Sequence, residues 1–589
     1  MTVLLDIAWP RTLDTWVAEL SSALPARAGR PAVIEGWLFE GPQARRRAER
    51  RLAAAGLPVR LRSAYKPLVF HFLEEVERDG LRAVTVHYPL HAAAPARRFA
   101  LEAYPLAMML EGVDFQLLPQ PATSESPVYH VELRWHDGRQ RMDRVFAPNR
   151  VHLDTAGETV LSPTAWLAGE ARDDDHARVF GAAIDAVRRH PWPEQEPYFE
   201  RLDLRVDIPG VHHAPAEETG WIDSHEALHE DLYFSLLEVF ERRAGRSAGS
   251  RALQPGQIVP DIRGSEDGMV RLLVSVTPWR PVVADDAVDE APLARATSPL
   301  SAGRIARVMA EIGGERFAAT SVQGRPVRWL YREGGDAPVL ISGGQHANEC
   351  SGVVGALRVA QRLAARPPSH FALIALENPD GYALHRELCR QAPRHLHHAA
   401  RYSALGDDVE ARSPDAPPYE AAARRQALAR SGALLHINLH GYPAHEWTRP
   451  WSGYIPRGFS AWTVPKGFFL IVRHHAGWGE RARALARAVC AELARRPALA
   501  AFNRQQLAHY RMHAGELPFE LIDGIACAIA EVDRPGAPVT LITEFPDETV
   551  HGQRFLLAQQ TQTAAAWAAV RAWQSLVPGA GPGGDASAA

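Results

Sequence analysis

The stretch VLISGGQHANECSG, Val339 to Gly352, decides how this chain is read. An apolar run ends at Gly343-Gly344, and His346 and Glu349 follow at once. Beyond them SGVVGALRVAQRLAA (351–365) has the apolar spacing of a helix. Strand, turn and helix in that order are one unit of an α/β sheet, and such sheets keep their chemistry at the carboxyl ends of strands. A His and a carboxylate three residues apart can converge on one cation. Zinc accepts both donor types, and a catalytic zinc needs a third protein ligand and an open position. His440 in LLHINLHGYP (434–443) is the natural third, because it ends another apolar run just before a glycine. Glu544 in VTLITEFPDE (539–548) ends a third such run. A carboxylate placed there can take a proton and pass it on, or it can be an ordinary exposed strand end.

Around this stretch helices and strands alternate. LSAGRIARVMAEIG (300–313) predicts a helix, RPVRWLYREGG (325–335) a strand, FALIALENPDG (371–381) a strand with its loop, and ALLHINLHG (433–441) another strand. The expected fold class is α/β, with a C-terminal α/β/α domain on a mixed, largely parallel sheet. Upstream, QARRRAERRLAAAGL (43–57) reads as a helix, and VYHVELRWHDG (128–138), LDLRVDIPG (202–210) and VRLLVSVTPW (270–279) read as strands, giving an N-terminal α/β or α+β region. The polar stretch ADDAVDEAPLARATSP (284–299) is the expected boundary. The expected domains are therefore 1–297, of unassigned role, 298–576, and a disordered tail at 577–589, too poor in apolar residues to fold.

With 589 residues the chain exceeds what one core serves. A net charge of -4 gives no general attraction to nucleic acid or anionic membrane, so neither is expected as a partner. The basic residues are almost all arginine, with lysine only at 66 and 466. Four scattered cysteines form no CxxC pair, which fits a reducing compartment. No basic segment followed by an apolar run opens the sequence, and no stretch of about 18 apolar residues occurs, so a cytoplasmic location is expected.

WIDSHEALHEDLYFSLLEVF (Trp221–Phe240) contains a second metal-like pattern, His225-Glu-Ala-Leu-His229. Histidines four apart share a helix face. No third ligand is in reach, however: Glu238 and Glu241 lie turns away on the same helix. The competing reading is an ordinary helix, with Asp223 as N-cap, Glu226 as its reciprocal carboxylate, and an apolar stripe at Leu228, Leu232, Leu236 and Val239. It explains more of the segment. The His-rich stretch RHLHHAARY (394–402) reads as a solvated loop, and WTRPWSGYIPRGFSAW (447–462) as either a substrate wall or packing.

Four ordered motifs, GGQHANE (343–349), ENPDGY (377–382), NLHG (438–441) and TEFP (543–546), resemble the zinc carboxypeptidase family, the carboxypeptidase A-like metallopeptidases, over roughly 300–574. The resemblance implies one zinc held by His346, Glu349 and His440, Glu544 as general base and acid, and metal-assisted hydrolysis of an amide. It implies an oxyanion-stabilising Arg after ENPDGY, with Arg394 nearest and Arg386, Arg390 and Arg401 as rivals, and support behind the metal from Asn438. The family's Asn-Arg clamp for a terminal carboxylate is missing: ALGDDVEAR (404–412) puts Glu410 and Ala411 near that place, with Arg412 displaced. Arg401, Glu410 and Arg412 are the candidate substrate contacts, with Glu410 and its acidic neighbours favouring a cationic or carboxylate-free group. The family's Tyr is also missing from ELPFELIDG (516–524), Tyr510 lying farther upstream. The expected function is a zinc metallopeptidase acting on a peptide or small amide. A deacylase or amidase on a modified amino acid or cell-wall peptide, or a non-catalytic peptide-binding protein, are the alternatives. The sequence does not specify an oligomeric state.

Overall fold

The computed structural model describes residues 1–22, 33–121, 126–214, 221–265, 268–279, 291–413 and 415–577. Residues 284–290 of the polar stretch expected to carry the boundary, and 578–589 of the expected tail, lie outside the described residues. The chain divides into two compact units. One comprises Met1–Pro278, His445–Val464 and His509–Glu516, and the other Trp279–Ala444, Pro465–Ala508 and Leu517–Ala589. Two short segments within 298–576 thus group with the first unit.

The second unit is built on a nine-stranded mixed sheet. Its strands are β1 (Glu315–Thr320), β2 (Pro326–Arg332), β3 (Val339–Gly343), β4 (Phe371–Ile374), β5 (Leu435–Pro443), β6 (Phe469–His474), β7 (Glu520–Ile522), β8 (Ile525–Glu531) and β9 (Val539–Glu548). Their spatial order is β1-β2-β4-β3-β5-β9-β6-β8-β7. The central four, β4-β3-β5-β9, pair in parallel, as do β6 and β8. The pairs β1-β2, β2-β4, β6-β9 and β7-β8 are antiparallel. The parallel strands are buried on both faces, which is why their sequences run apolar rather than alternating. Val339 and Ile341 join a core with helices Ser351–Ala364, Gly479–Ala494 and Gly552–Leu576. Leu340 points the other way, into a core with helix Ala421–Ser431.

Helix Ser351–Ala364 sits unusually close to β5. A Cβ on Gly352 would lie 2.5 Å from the carbonyl oxygen of Leu439, so only glycine permits this approach. The crossing brings the helix start, with Glu349, against the end of β5, with His440.

Among the described residues the first unit is a mixed α+β body with three four-stranded sheets and two hairpin-sized ones. Its longest helix, Ser224–Arg243, is the one carrying His225 and His229. The apolar-stripe reading of that helix is too simple. Leu228, Leu232 and Leu236 are buried as expected, but so are Glu226, Glu230, Asp231 and Glu238. Buried carboxylates need partners, and the segment 445–464 supplies them. His445 Nε2 lies 2.8 Å from Glu226, Arg449 donates to Glu238 at 2.7 Å, and the backbone N–H of Ser452 donates to Asp231 at 3.1 Å. Asp223 is the N-cap, accepting from the N–H groups of His225 and Glu226. Both oxygens of Glu226 face His445 Nε2, at 2.8 and 2.9 Å. The aromatic-rich stretch 447–462 therefore packs within the first unit.

Candidate metal centre

Each side chain of the centre is placed by a strand end. β3 and β5 are parallel neighbours, with Gly343 opposite Leu439, so the residues just past β3 and the last residues of β5 share one sheet edge. β9 lies on the other side of β5, with Glu544 opposite His440. Three segments distant in sequence meet there.

His346 Nδ1 lies 2.8 Å from Glu349 Oε1, His440 Nδ1 lies 3.0 Å from Glu349 Oε2, and the two Nδ1 atoms are 3.0 Å apart. All three residues are buried. Two imidazole nitrogens facing each other, each at hydrogen-bond distance from one oxygen of the same carboxylate, form a set that one cation satisfies better than shared protons do. The surroundings already bias the charges. Burial and the Arg401 charge oppose protonation of His346, but Glu349 and Asp408 hold its pKa above the ordinary value. Glu349 is held well below its ordinary value, burial being outweighed by His346, Arg401 and His440. His440 is lowered, mainly by burial.

The outer nitrogen of His346 faces Asp408 Oδ2 at 3.3 Å, and Gln345 donates to Asp408 Oδ1 at 2.9 Å. Asn438 donates to Gln345 at 2.9 Å and accepts from Ser342 at 2.9 Å, which ties it to the residue beside His346. Asp408 was legible only as part of an acidic run; in space it is a carboxylate that faces the outer nitrogen of His346.

Glu544 is buried, and its Oε2 has no hydrogen-bond partner. Burial, with the nearby charge of Glu349, raises its pKa well above the carboxylate range. This is a carboxyl group poised to hold a proton, not an exposed strand end. Lys466, which sequence reading left without a role, opposes that rise electrostatically. Its Nζ sits 4.7 Å from the Tyr442 ring centroid and 4.8 Å from that of Phe469, the residue opposite Glu544 on β6. Burial lowers its pKa to about 7. The unfolded chain therefore binds a proton that the folded chain releases between about pH 7 and 10.5, and this group's contribution to stability rises with pH across that window. In metal-stripped protein, Lys466→Met is expected to raise the denaturation midpoint relative to the parent most at pH 6 and least at pH 10. A constant offset in denaturant titrations across that range contradicts the assignment.

The other sequence candidates fall apart in space. Arg394 is exposed, and its charge acts on His551. Arg401 donates to Glu349 Oε1 at 2.5 Å and lies 3.9 Å from Glu548, so it is the arginine at the centre. Spacing along the chain favoured Arg394 because the turn at His398–Ala400, which brings Arg401 in, leaves no periodic signal. Arg394→Ala is expected to leave kcat/KM within about twofold of the parent, and Arg401→Ala to lower it by about 10²-fold, the order seen when one oxyanion donor is removed. Equal effects would return the assignment to Arg394.

Arg412 is fully engaged, donating to Asp407 at 2.7 Å and Glu420 at 2.6 Å, all three buried, so it ties a loop together instead of meeting substrate. Glu410 is bound by Arg473 at 2.8 Å and Arg534 at 2.9 Å. The acidic run is thus compensated, and the expected repulsion of a carboxylate loses its source. His395, His397 and His398, expected in a solvated loop, are buried. Tyr510 is buried within helix Pro497–Ala514, in the segment grouped with the first unit.

No family model and no curated protein sequence matches the chain. Solved metallopeptidases do. A Shewanella denitrificans protein provisionally assigned as a metallopeptidase is 15% identical, over 47% of this chain and 89% of that one, with a TM-score of 0.30. The metallo-carboxypeptidase of Burkholderia cenocepacia is 16% identical over 52% and 76%, with a TM-score of 0.28. That of Pseudomonas aeruginosa is 17% identical over 53% and 72%, also at 0.28. At that distance the likeness carries no argument about chemistry, which rests on the side chains themselves. Among the described residues no helix is long and apolar enough to cross a membrane.

Proposed function

We propose that the chain is a zinc-dependent hydrolase of amide bonds, a cytoplasmic metallopeptidase with one zinc at His346, Glu349 and His440. The observation that carries this reading is the mutual 2.8–3.0 Å approach of those three residues beside the buried, unpartnered carboxyl oxygen of Glu544. Two neutral imidazole nitrogens and a carboxylate are a donor set zinc accepts. When bound there, the ion supplies a Lewis acid for the scissile carbonyl and activates water at neutral pH. Glu544 accepts a proton from the attacking water and returns it to the departing amine. Arg401, held against Glu349 and Glu548, offers N–H donors to charge developing on the carbonyl oxygen. Asp408, on the outer nitrogen of His346, keeps that ring oriented throughout.

The substrate is a peptide or a small amide, with no nucleic acid or membrane partner. Arg412 is spent on Asp407 and Glu420, so the terminal-carboxylate clamp suggested for it is missing, which favours the deacylase or amidase reading within the same chemistry. A panel of N-acylated dipeptides, each as free acid and as amide, decides between them. Carboxypeptidase action predicts cleavage of the free acids alone. Comparable kcat/KM on both forms identifies an amidase. Zinc bound at this centre with no turnover on either set, or on cell-wall peptides, leaves a binding protein and defeats the hydrolase.

A further inference from the structure

The first unit holds a second set of metal-type donors, and it reuses half of the upstream His-Glu-x-x-His pattern. His225 does not chelate with His229. It meets His212 and Asp223 instead: each offers one donor atom, and the three atoms lie within 4.8 Å of one another. They come from three places, the strand His212–His213, its antiparallel partner Ile222–Asp223, and the first turn of helix Ser224–Arg243.

The arrangement has the features of a built site. Asp223 divides its work, with Oδ1 capping the helix through the N–H groups of His225 and Glu226, while Oδ2 faces His212 Nδ1 at 2.9 Å. The rings of His212 and His225 meet edge to face, 4.4 Å between centroids. A third imidazole, His176, stacks beside His225 at 6.4 Å and is fully buried. Gathering three imidazoles around one carboxylate gains little when they are neutral and repels when they are charged, so a cation offsets the cost. The imidazoles are drawn in tightly: a Cβ on Gly210 would lie 2.4 Å from His225 Nε2 and 3.0 Å from His212 Nε2, so both rings pack against a backbone that only a residue without a side chain allows them to approach. Gly210 does not need to be glycine for its backbone, since its φ lies outside the left-handed range. His212 is 43% exposed in its side chain against 4% for Asp223, which gives an ion a way in from solvent.

We propose that His212, Asp223 and His225 bind a divalent transition metal of the zinc type, independent of the centre at His346. Two imidazoles and one carboxylate, with a solvent-facing side, make a three-ligand site with one position open.

The full chain, stripped with chelator and equilibrated with micromolar zinc, is measured for metal content. The parent is expected to hold two ions per chain. His346→Ala and His212→Ala are expected to hold one each, and the double variant none. His212 is half-exposed, so its replacement leaves the fold intact; Gly210→Ala, whose Cβ forces the His225 and His212 rings apart, is expected to match it. In the His346→Ala background zinc is still expected to raise the melting temperature, and this shift is lost on adding His212→Ala. One ion in the parent with none in His346→Ala overturns the second site and leaves the first standing. One ion that survives in His346→Ala and disappears in His212→Ala does the reverse. Two ions in both His212→Ala and Gly210→Ala also overturn the proposal.

Discussion

Glu544→Gln is expected to lower kcat by about 10³-fold, the middle of the range for a positioned general base and acid, while leaving metal content unchanged. The exchange keeps the shape and one oxygen of the side chain and removes only its ability to carry a proton. The stability change has a definite sign. In the folded chain burial and Glu349 raise the pKa of this carboxyl far above that of the unfolded chain. The folded state therefore binds more protons at pH values above about 4.5, and this group's contribution to stability falls as pH rises from there toward the folded pKa. Gln does not titrate. The metal-stripped variant should match the parent near pH 4 and exceed it at pH 7 in denaturant midpoint. Retention of more than a tenth of the parent's kcat by a metal-loaded variant removes Glu544 from the chemistry. Loss of bound metal instead makes it a ligand.

What the sequence showed and what it concealed follow from range. His346, Glu349, His440 and Glu544 were legible because each stands at the end of an apolar run, and in a sheet with parallel central strands those ends gather on one edge. Parallel pairing at the centre was legible for the same reason, since strands covered on both faces run continuously apolar. The antiparallel edges were not, because β1, β7 and β8 are short or half-exposed and carry little pattern. Arg401 and Asp408 were misjudged because they arrive on irregular turns, where spacing along the chain says nothing about distance in space. Glu410 and Arg412 looked like substrate contacts because sequence shows charge but not its partner. Their partners include Arg473 and Arg534, far along the chain, as well as Glu420 close by. The burial of helix Ser224–Arg243 was hidden by its acidic residues, whose partners lie some 220 positions downstream; Asp231, for one, receives the N–H of Ser452.

Asp408→Asn is expected to weaken zinc at the His346 centre by about 10- to 100-fold, the usual consequence of removing a carboxylate behind a ligand histidine. Asp408 touches His346 through the nitrogen that faces away from Glu349 and His440. With Oδ1 fixed by Gln345, its Oδ2 sets both the tautomer and the ring angle of His346. Asn cannot accept with the same charge, so the ring loses part of its basicity and its fixed orientation. His440→Ala removes a ligand outright and should abolish zinc at this centre and all hydrolysis together. The two variants separate positioning from ligation. In Asp408→Asn, activity lost after dialysis against chelator should return in excess zinc, with kcat recovering more completely than affinity. In His440→Ala no zinc concentration should restore it. If Asp408→Asn binds zinc as tightly as the parent, the 3.3 Å contact to His346 is incidental, and the acidic run at 407–410 serves only to anchor the loop through Arg412 and Arg473.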